Sequence, residues 1–215
     1  MKKPVAFDWD GTLFQVHLMS VPAFITVFSR LAEQGIIDSM PGEAKFKSIY
    51  GMTGKEIWEY LLPGAGDQLK EKVARWVREE EEKIKERGKL FPGARETLEA
   101  LANMGHPLFV VSNGTEEYVK WACASTGLAP LLTGIYSAGQ YKTETKVELL
   151  AHAIDEHGLE PGYMVGDRSS DIAAGLGNGF TAVGCTYGYG SRAELEDAHH
   201  IIDHISEILD LVRKE

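Results

Sequence analysis

Five short, uninterrupted apolar runs constrain this chain more than any other feature: Val5–Phe7, Leu108–Val111, Ile135–Tyr136, Tyr163–Val165 and Thr181–Val183. A strand with one wet face alternates apolar and polar residues. These runs do not alternate, so each is expected to be a short strand buried on both faces. Outside residues 15–90 they are interleaved with helical stretches, and that alternation predicts an α/β fold with a parallel sheet covered by helices.

Between the first run and the second lies a segment of different character. Residues 15–90 carry 12 basic and 12 acidic side chains, whereas the rest of the chain carries 10 and 20, which accounts for the whole net charge of −10. The segment shows only helical signals. The clearest is Asp67–Arg87, where Leu69, Val73, Trp76, Val77 and Ile84 form one apolar stripe and the Glu79–Glu82 run reads as a solvated face. Residues 1–15 and 89–215 are therefore expected to form the α/β core, interrupted after its first strand by a helical domain over residues 16–88.

The acidic balance disfavours nucleic acid and anionic membrane surfaces as partners, because both need clustered Lys and Arg. Only four uncharged residues separate Lys3 from Asp8, too few for an apolar leader. The longest stretch free of charge, Trp121–Tyr141, is broken by Gly127, Pro130, Gly134 and Gly139, so it reads as turns and a strand and not as a membrane span. Cys123 and Cys185 build neither a disulfide framework nor a zinc spacing, and a reducing cytoplasm is the expected location.

Ligands of open α/β sheets bind beyond the carboxyl ends of the strands, so the residues following each run carry the functional argument. The first run ends in Asp8-Trp9-Asp10-Gly11-Thr12-Leu13. Two carboxylates spaced i, i+2 at a strand end can share a small volume, which calls either for a cation or for a retained proton. A calcium loop is not spelled here, since Thr12 follows Gly11 and no bidentate Glu is suitably placed. The second run ends in Ser112-Asn113-Gly114-Thr115, a hydroxyl and amides ahead of a helix start, readable as an anion cradle or as a turn with an N-cap. A lysine, Lys142 or Lys146, follows the third run. The fourth ends in Gly166-Asp167-Arg168-Ser169-Ser170-Asp171, where Asp167 and Asp171, one helical turn apart, can address one mouth; Asp171 reads equally as a first-turn acid.

In this order DWDGTL, SNGT, a downstream lysine and GDRSSD resemble the four motifs of the haloacid dehalogenase superfamily in its phosphatase form, across nearly the whole chain. Leu90-Phe91-Pro92-Gly93 is similar to the family's return from its cap, and Gly184-Cys185-Thr186-Tyr187-Gly188-Tyr189-Gly190 to the tail of phosphoglycolate phosphatase-like members. The resemblance implies a Rossmann-like parallel sheet with a helical, C1-type cap. It implies Asp8 as nucleophile, Asp10 as acid and base, Ser112 and Lys146 on the phosphoryl oxygens with Trp9 and Asn113 among the phosphate contacts, and Mg²⁺ on Asp8, the Asp10 carbonyl and Asp167. Asp171 would orient Lys146 or the metal's waters. Lys146 opens an apolar-periodic helix ending at Gly158 and is preferred over Lys142.

The implied reaction is Mg²⁺-dependent hydrolysis of a small phosphomonoester such as phosphoglycolate. The alternatives are a nucleotide or sugar-phosphate phosphatase, a mutase similar to β-phosphoglucomutase, and a phospho-ligand binding protein without turnover. An acid at position 10 argues against dehalogenation, since halide departs without a proton. In the cap, Lys55 is a candidate contact for a substrate carboxylate or second phosphate, and His17, Lys45, Lys47 and Trp58 are lesser candidates. Thr53 and Glu56 have capping-box spacing, and His199-His200 read as surface residues of a helix or turn. The expected partner is a small phosphorylated metabolite, and the expected state a monomer or homodimer.

Overall fold

The computed structural model describes residues 2–214. Six strands form one parallel sheet: β1 (Val5–Phe7), β2 (Leu108–Ser112), β3 (Gly134–Ser137), β4 (Tyr163–Gly166), β5 (Thr181–Cys185) and β6 (His200–Ile202). Their order is β3-β2-β1-β4-β5-β6. The five apolar runs lie in β1 to β5, with Val5, Ala6 and Phe7 paired to Leu108–Val110 on one side and Tyr163–Val165 on the other. All residues of β1, β2 and β4 are buried. Because the chain winds outward from β1 first to β2 and β3 and then to β4, β5 and β6, a topological switch point opens beside β1 at the carboxyl ends.

β6 departs from the sequence reading. His200 opens this edge strand, and His199 accepts the Ala182 amide at its Nδ1, 3.0 Å away. A three-residue strand with two exposed positions has no apolar run to announce it.

The chain divides into two compact units, one comprising residues through Phe14 and from Leu90 onward, the other Gln15–Lys89. The second unit contains α1 (His17–Glu33), α2 (Glu43–Lys47), α3 (Gly54–Leu61) and α4 (Asp67–Ile84) and no strand. Val73 and Val77 of α4 are buried, and Phe24, Phe28 and Phe46 form an aromatic cluster whose ring centroids lie 5.2–6.2 Å apart. Thr53 and Glu56 close a capping box at the start of α3, with the Thr53 amide 2.7 Å from Glu56 Oε2. That is the local role their spacing predicts.

In the first unit, α5 (Ala94–Asn103), α6 (Glu116–Ser125), α7 (Ala138–Tyr141), α8 (Lys146–His157), α9 (Ser169–Gly177) and α10 (Ile208–Arg213) alternate with the strands. Ala6, Phe109, Val111, Leu149, Leu150, Ala153, Met164 and Phe180 belong to one buried cluster spanning sheet and helices. Where the chain leaves this unit and returns to it, Phe14 and Leu90 form an antiparallel bridge and the Phe91 amide donates to the Leu13 carbonyl at 2.8 Å. Both cysteines are free and buried, and no helix of the described residues is long and apolar enough to cross a membrane.

Candidate active site

The strand ends that flank the switch point bring four charged groups together. Asp8 follows β1, its amide still hydrogen-bonded to the Val165 carbonyl at 2.9 Å, so the ladder fixes its backbone. Lys146 is the first residue of α8, positioned by a capping box between Thr145 and Glu148. Its ammonium donates to Asp8 Oδ1 at 2.6 Å and to Asp171 Oδ1 at 2.5 Å, and all three side chains are buried. Asp171 lies at the third position of α9, where its other oxygen accepts the Arg168 amide at 2.9 Å. Asp167, fully buried after β4, completes the group, and carboxylate oxygens of Asp8, Asp167 and Asp171 all lie within 4.8 Å of one another.

The loop after β5 confines Asp167. The amides of Tyr189 and Gly190 donate to its Oδ2 at 2.7 and 3.2 Å, and Thr12 Oγ1 donates to Oδ1 at 3.3 Å. A Cβ at Gly190 would stand 1.8 Å from the Asp167 carbonyl oxygen, and one at Gly188 2.3 Å from its Cβ. Gly11, at φ +99°, turns the chain after Asp10, and a Cβ there would come 2.5 Å from Asp167 Oδ2.

Electrostatics follow from this crowding. Burial raises the Asp8 carboxyl well above its ordinary range, opposed by Lys146 and reinforced by Asp171 and Asp167. Burial and the Asp171 charge likewise raise Asp167, against the pull of the two amides. Burial by itself would lower the Lys146 ammonium, but Asp171 and Asp8 more than reverse this and keep it charged. Three carboxylates and one ammonium leave two negative charges uncompensated when all are ionised, in a space without solvent access. A divalent cation is the species that such a donor set accepts, oxygen-only and doubly charged.

Asp10 does not join this cluster. Its carboxylate turns to Tyr118 of α6, whose hydroxyl donates to Oδ1 at 2.5 Å. The period-two alternation that would have set Asp8 and Asp10 side by side ends with the strand at Phe7, and the turn at Gly11 takes over. Burial pushes the Asp10 carboxyl up to about 7, against the hydrogen bond from Tyr118 and the charge of Lys146. As a candidate metal ligand, Asp10 is left with only the backbone carbonyl that the family resemblance implies.

The remaining sequence candidates fall in different places. Ser112, buried at the end of β2, accepts the Gly114 amide at its Oγ, 3.2 Å away, and Asn113 is half-buried beside it. Thr115 is the N-cap of α6. The Trp9 side chain faces the core, fully buried and stacked on Phe14 with centroids 5.5 Å apart, so its indole is unavailable to a ligand and only its backbone remains a candidate phosphate contact. Lys142 is exposed in a left-handed conformation at φ +54° and takes no part in the cluster. Lys55 is an exposed residue of α3 in the helical unit, where it lines a cavity of about 410 Å³ with Trp58, Lys70 and Arg78. Sequence reasoning missed Tyr118, Thr12 and the two amides of the Gly188–Gly190 loop. Only the loop left a trace in the sequence, as a glycine-rich stretch.

The model of the haloacid dehalogenase-like hydrolases matches residues 3–179. The chain belongs to that family. Among its relatives, a phosphoglycolate phosphatase of Mannheimia succiniciproducens is 30% identical over 230 residues, covering 98% of each chain. A 5'-nucleotidase of Pseudomonas aeruginosa is 32% identical over 126 residues, 57% of each chain. The fold of this hydrolase is also that of a predicted phosphatase from Clostridium acetobutylicum, with a TM-score of 0.84, 20% identity and complete coverage of both chains.

Proposed function

We propose that this hydrolase removes the phosphoryl group from a small phosphomonoester through an aspartyl-phosphate on Asp8. The observation that carries the reading is the buried Asp8 carboxylate at the switch point, bonded to Lys146, with Ser112 ending the neighbouring strand. A carboxylate so placed is a nucleophile, and a fixed ammonium beside it stabilises the negative charge of a transferring phosphoryl group. Lys146 and Ser112 bind its equatorial oxygens, joined by amides of Trp9 and Asn113. Asp171 holds Lys146 in place. Asp10, whose carboxyl keeps a proton up to about pH 7, protonates the departing alkoxide and then takes a proton from the hydrolytic water.

Asp8 and Asp167, with the Asp10 carbonyl, would hold Mg²⁺, which when bound neutralises charge between nucleophile and phosphoryl group. Full-length similarity to phosphoglycolate phosphatases supports a small carboxylated phosphoester as substrate, and the helical unit, through Lys55, supplies its specificity as a cap. The match to a 5'-nucleotidase supports a nucleoside monophosphate as the second reading. Two buried free thiols favour a reducing cytoplasm as its location.

The test is phosphate release from phosphoglycolate, nucleoside monophosphates, sugar phosphates and p-nitrophenyl phosphate, with Mg²⁺ and with EDTA. Mg²⁺-dependent release that falls on the order of 10⁴-fold or more in a folded Asp8→Asn variant is expected, because the nucleophilic carboxylate is removed. Turnover retained in that variant overturns the mechanism. Silence of the wild type on every ester overturns the phosphatase reading.

A further inference from the structure

Three contacts fix Tyr118. Its amide donates to the N-cap hydroxyl of Thr115 at 3.4 Å, which holds the third residue of α6 at the mouth of the β2 loop. Its ring lies over Gly114, where a Cβ would come within 3.1 Å of Cδ1, so the absence of a side chain at 114 makes room for it. The ring also sits beside Trp121, with centroids 6.2 Å apart. The phenol that these contacts aim ends 2.5 Å from Asp10 Oδ1, across 108 residues of sequence.

We propose that Tyr118 is the positioning residue of the acid–base step, fixing the rotamer of Asp10 and choosing the oxygen through which it acts. This rests on the phosphatase reading above. Because Oδ1 accepts the phenolic hydrogen, a proton carried by Asp10 sits on Oδ2, and that oxygen serves the leaving group. As the ester P–O bond breaks and Asp8 bonds to phosphorus, the Oδ2 proton passes to the departing alkoxide and Asp10 becomes a carboxylate. In the second step water attacks phosphorus, the Asp8–phosphorus bond breaks, and one water proton returns to Oδ2. Tyr118 keeps its own proton throughout. Its bond to Asp10 becomes charge-assisted once the proton has left, so it is stronger in the state that follows proton transfer than in the one before it. An interaction that strengthens along the step accelerates it, whereas one of constant strength does not.

Tyr118→Phe keeps the ring and removes only the hydroxyl. The measurement is kcat/KM for whichever alkyl phosphate the wild type cleaves fastest and for p-nitrophenyl phosphate, whose leaving group departs without a proton. The expected result is a fall of about 10–100-fold on the alkyl ester and less than about threefold on the aryl ester, with Mg²⁺ dependence unchanged. An equal loss on both esters, or none on the alkyl ester, overturns the role of Tyr118 while leaving the phosphatase intact. A wild type silent on both esters overturns the phosphatase reading itself, and this role with it.

Discussion

At the scale of single residues, Lys146 and Lys142 show how little residue type says without position. They stand four apart in the sequence, yet one is buried between Asp8 and Asp171 and the other is exposed at the end of α7. Lys146→Ala is expected to lower kcat/KM by about 10²–10³-fold, as loss of a donor to a developing oxyanion does. It also leaves two buried carboxylates without their ammonium, at a cost of about 3–5 kcal/mol, so the rate is measured below the variant's melting temperature. Lys142→Gly should leave the rate untouched and raise stability by about 1 kcal/mol, since φ +54° suits glycine and strains a side chain. Reversed effects in the two variants would exchange their assignments. The helix that Lys146 opens was legible in the sequence as an apolar-periodic run, but the lysine's two partners were not, since they come from 138 and 25 residues away.

Elements explain where the strand-end residues are held. β1, β2 and β4 are short and wholly buried, and each ends at a candidate site residue: Asp8, Ser112 itself, Asp167. Their apolar runs were legible because burial on both faces leaves an unbroken signature. β6 left none, because it is a short, half-exposed edge, and the loop after β5 showed only its glycines, because it works through backbone amides, whose aim depends on conformation and not on side chains. Gly190→Ala tests that loop. A Cβ there meets backbone and cannot be relieved by a rotamer, so Asp167 must shift. The expected outcome is a folded protein whose activity needs about 10–100-fold more Mg²⁺, as when the support of a ligand is disturbed. An unchanged Mg²⁺ titration would show that the loop does not set Asp167.

For the whole molecule, the buried acids Asp8, Asp10 and Asp167 are expected to make stability depend on pH and on the cation together. Asp10 at about 7, with Asp8 and Asp167 also raised, binds protons more tightly in the folded chain than in the unfolded one. Between the ordinary carboxylate range and pH 7 the folded state therefore carries more protons, so stability falls as pH rises. In EDTA, Tm should drop between pH 5.5 and pH 8, with a smaller drop in Asp10→Asn and in Asp167→Asn. Mg²⁺ added at pH 8 should recover most of the loss in the wild type by replacing the missing protons as counter-charge. A Tm in EDTA with no pH dependence over that range, or a slope in both variants equal to that of the wild type, would remove these acids as its cause.

The sequence by itself determined the α/β class, five of the six strands, the helical character of residues 16–88 and the strand-end acids, because burial on two faces, helical periodicity and turn chemistry are written in consecutive residues. Only the tertiary structure decided that Asp10 turns away from Asp8 to Tyr118, that Lys146 joins Asp8 to Asp171, and that backbone amides of Tyr189 and Gly190 hold Asp167. Each of these contacts spans 22 residues or more, and its direction is set by where the sheet brings distant strand ends together. No local pattern encodes that.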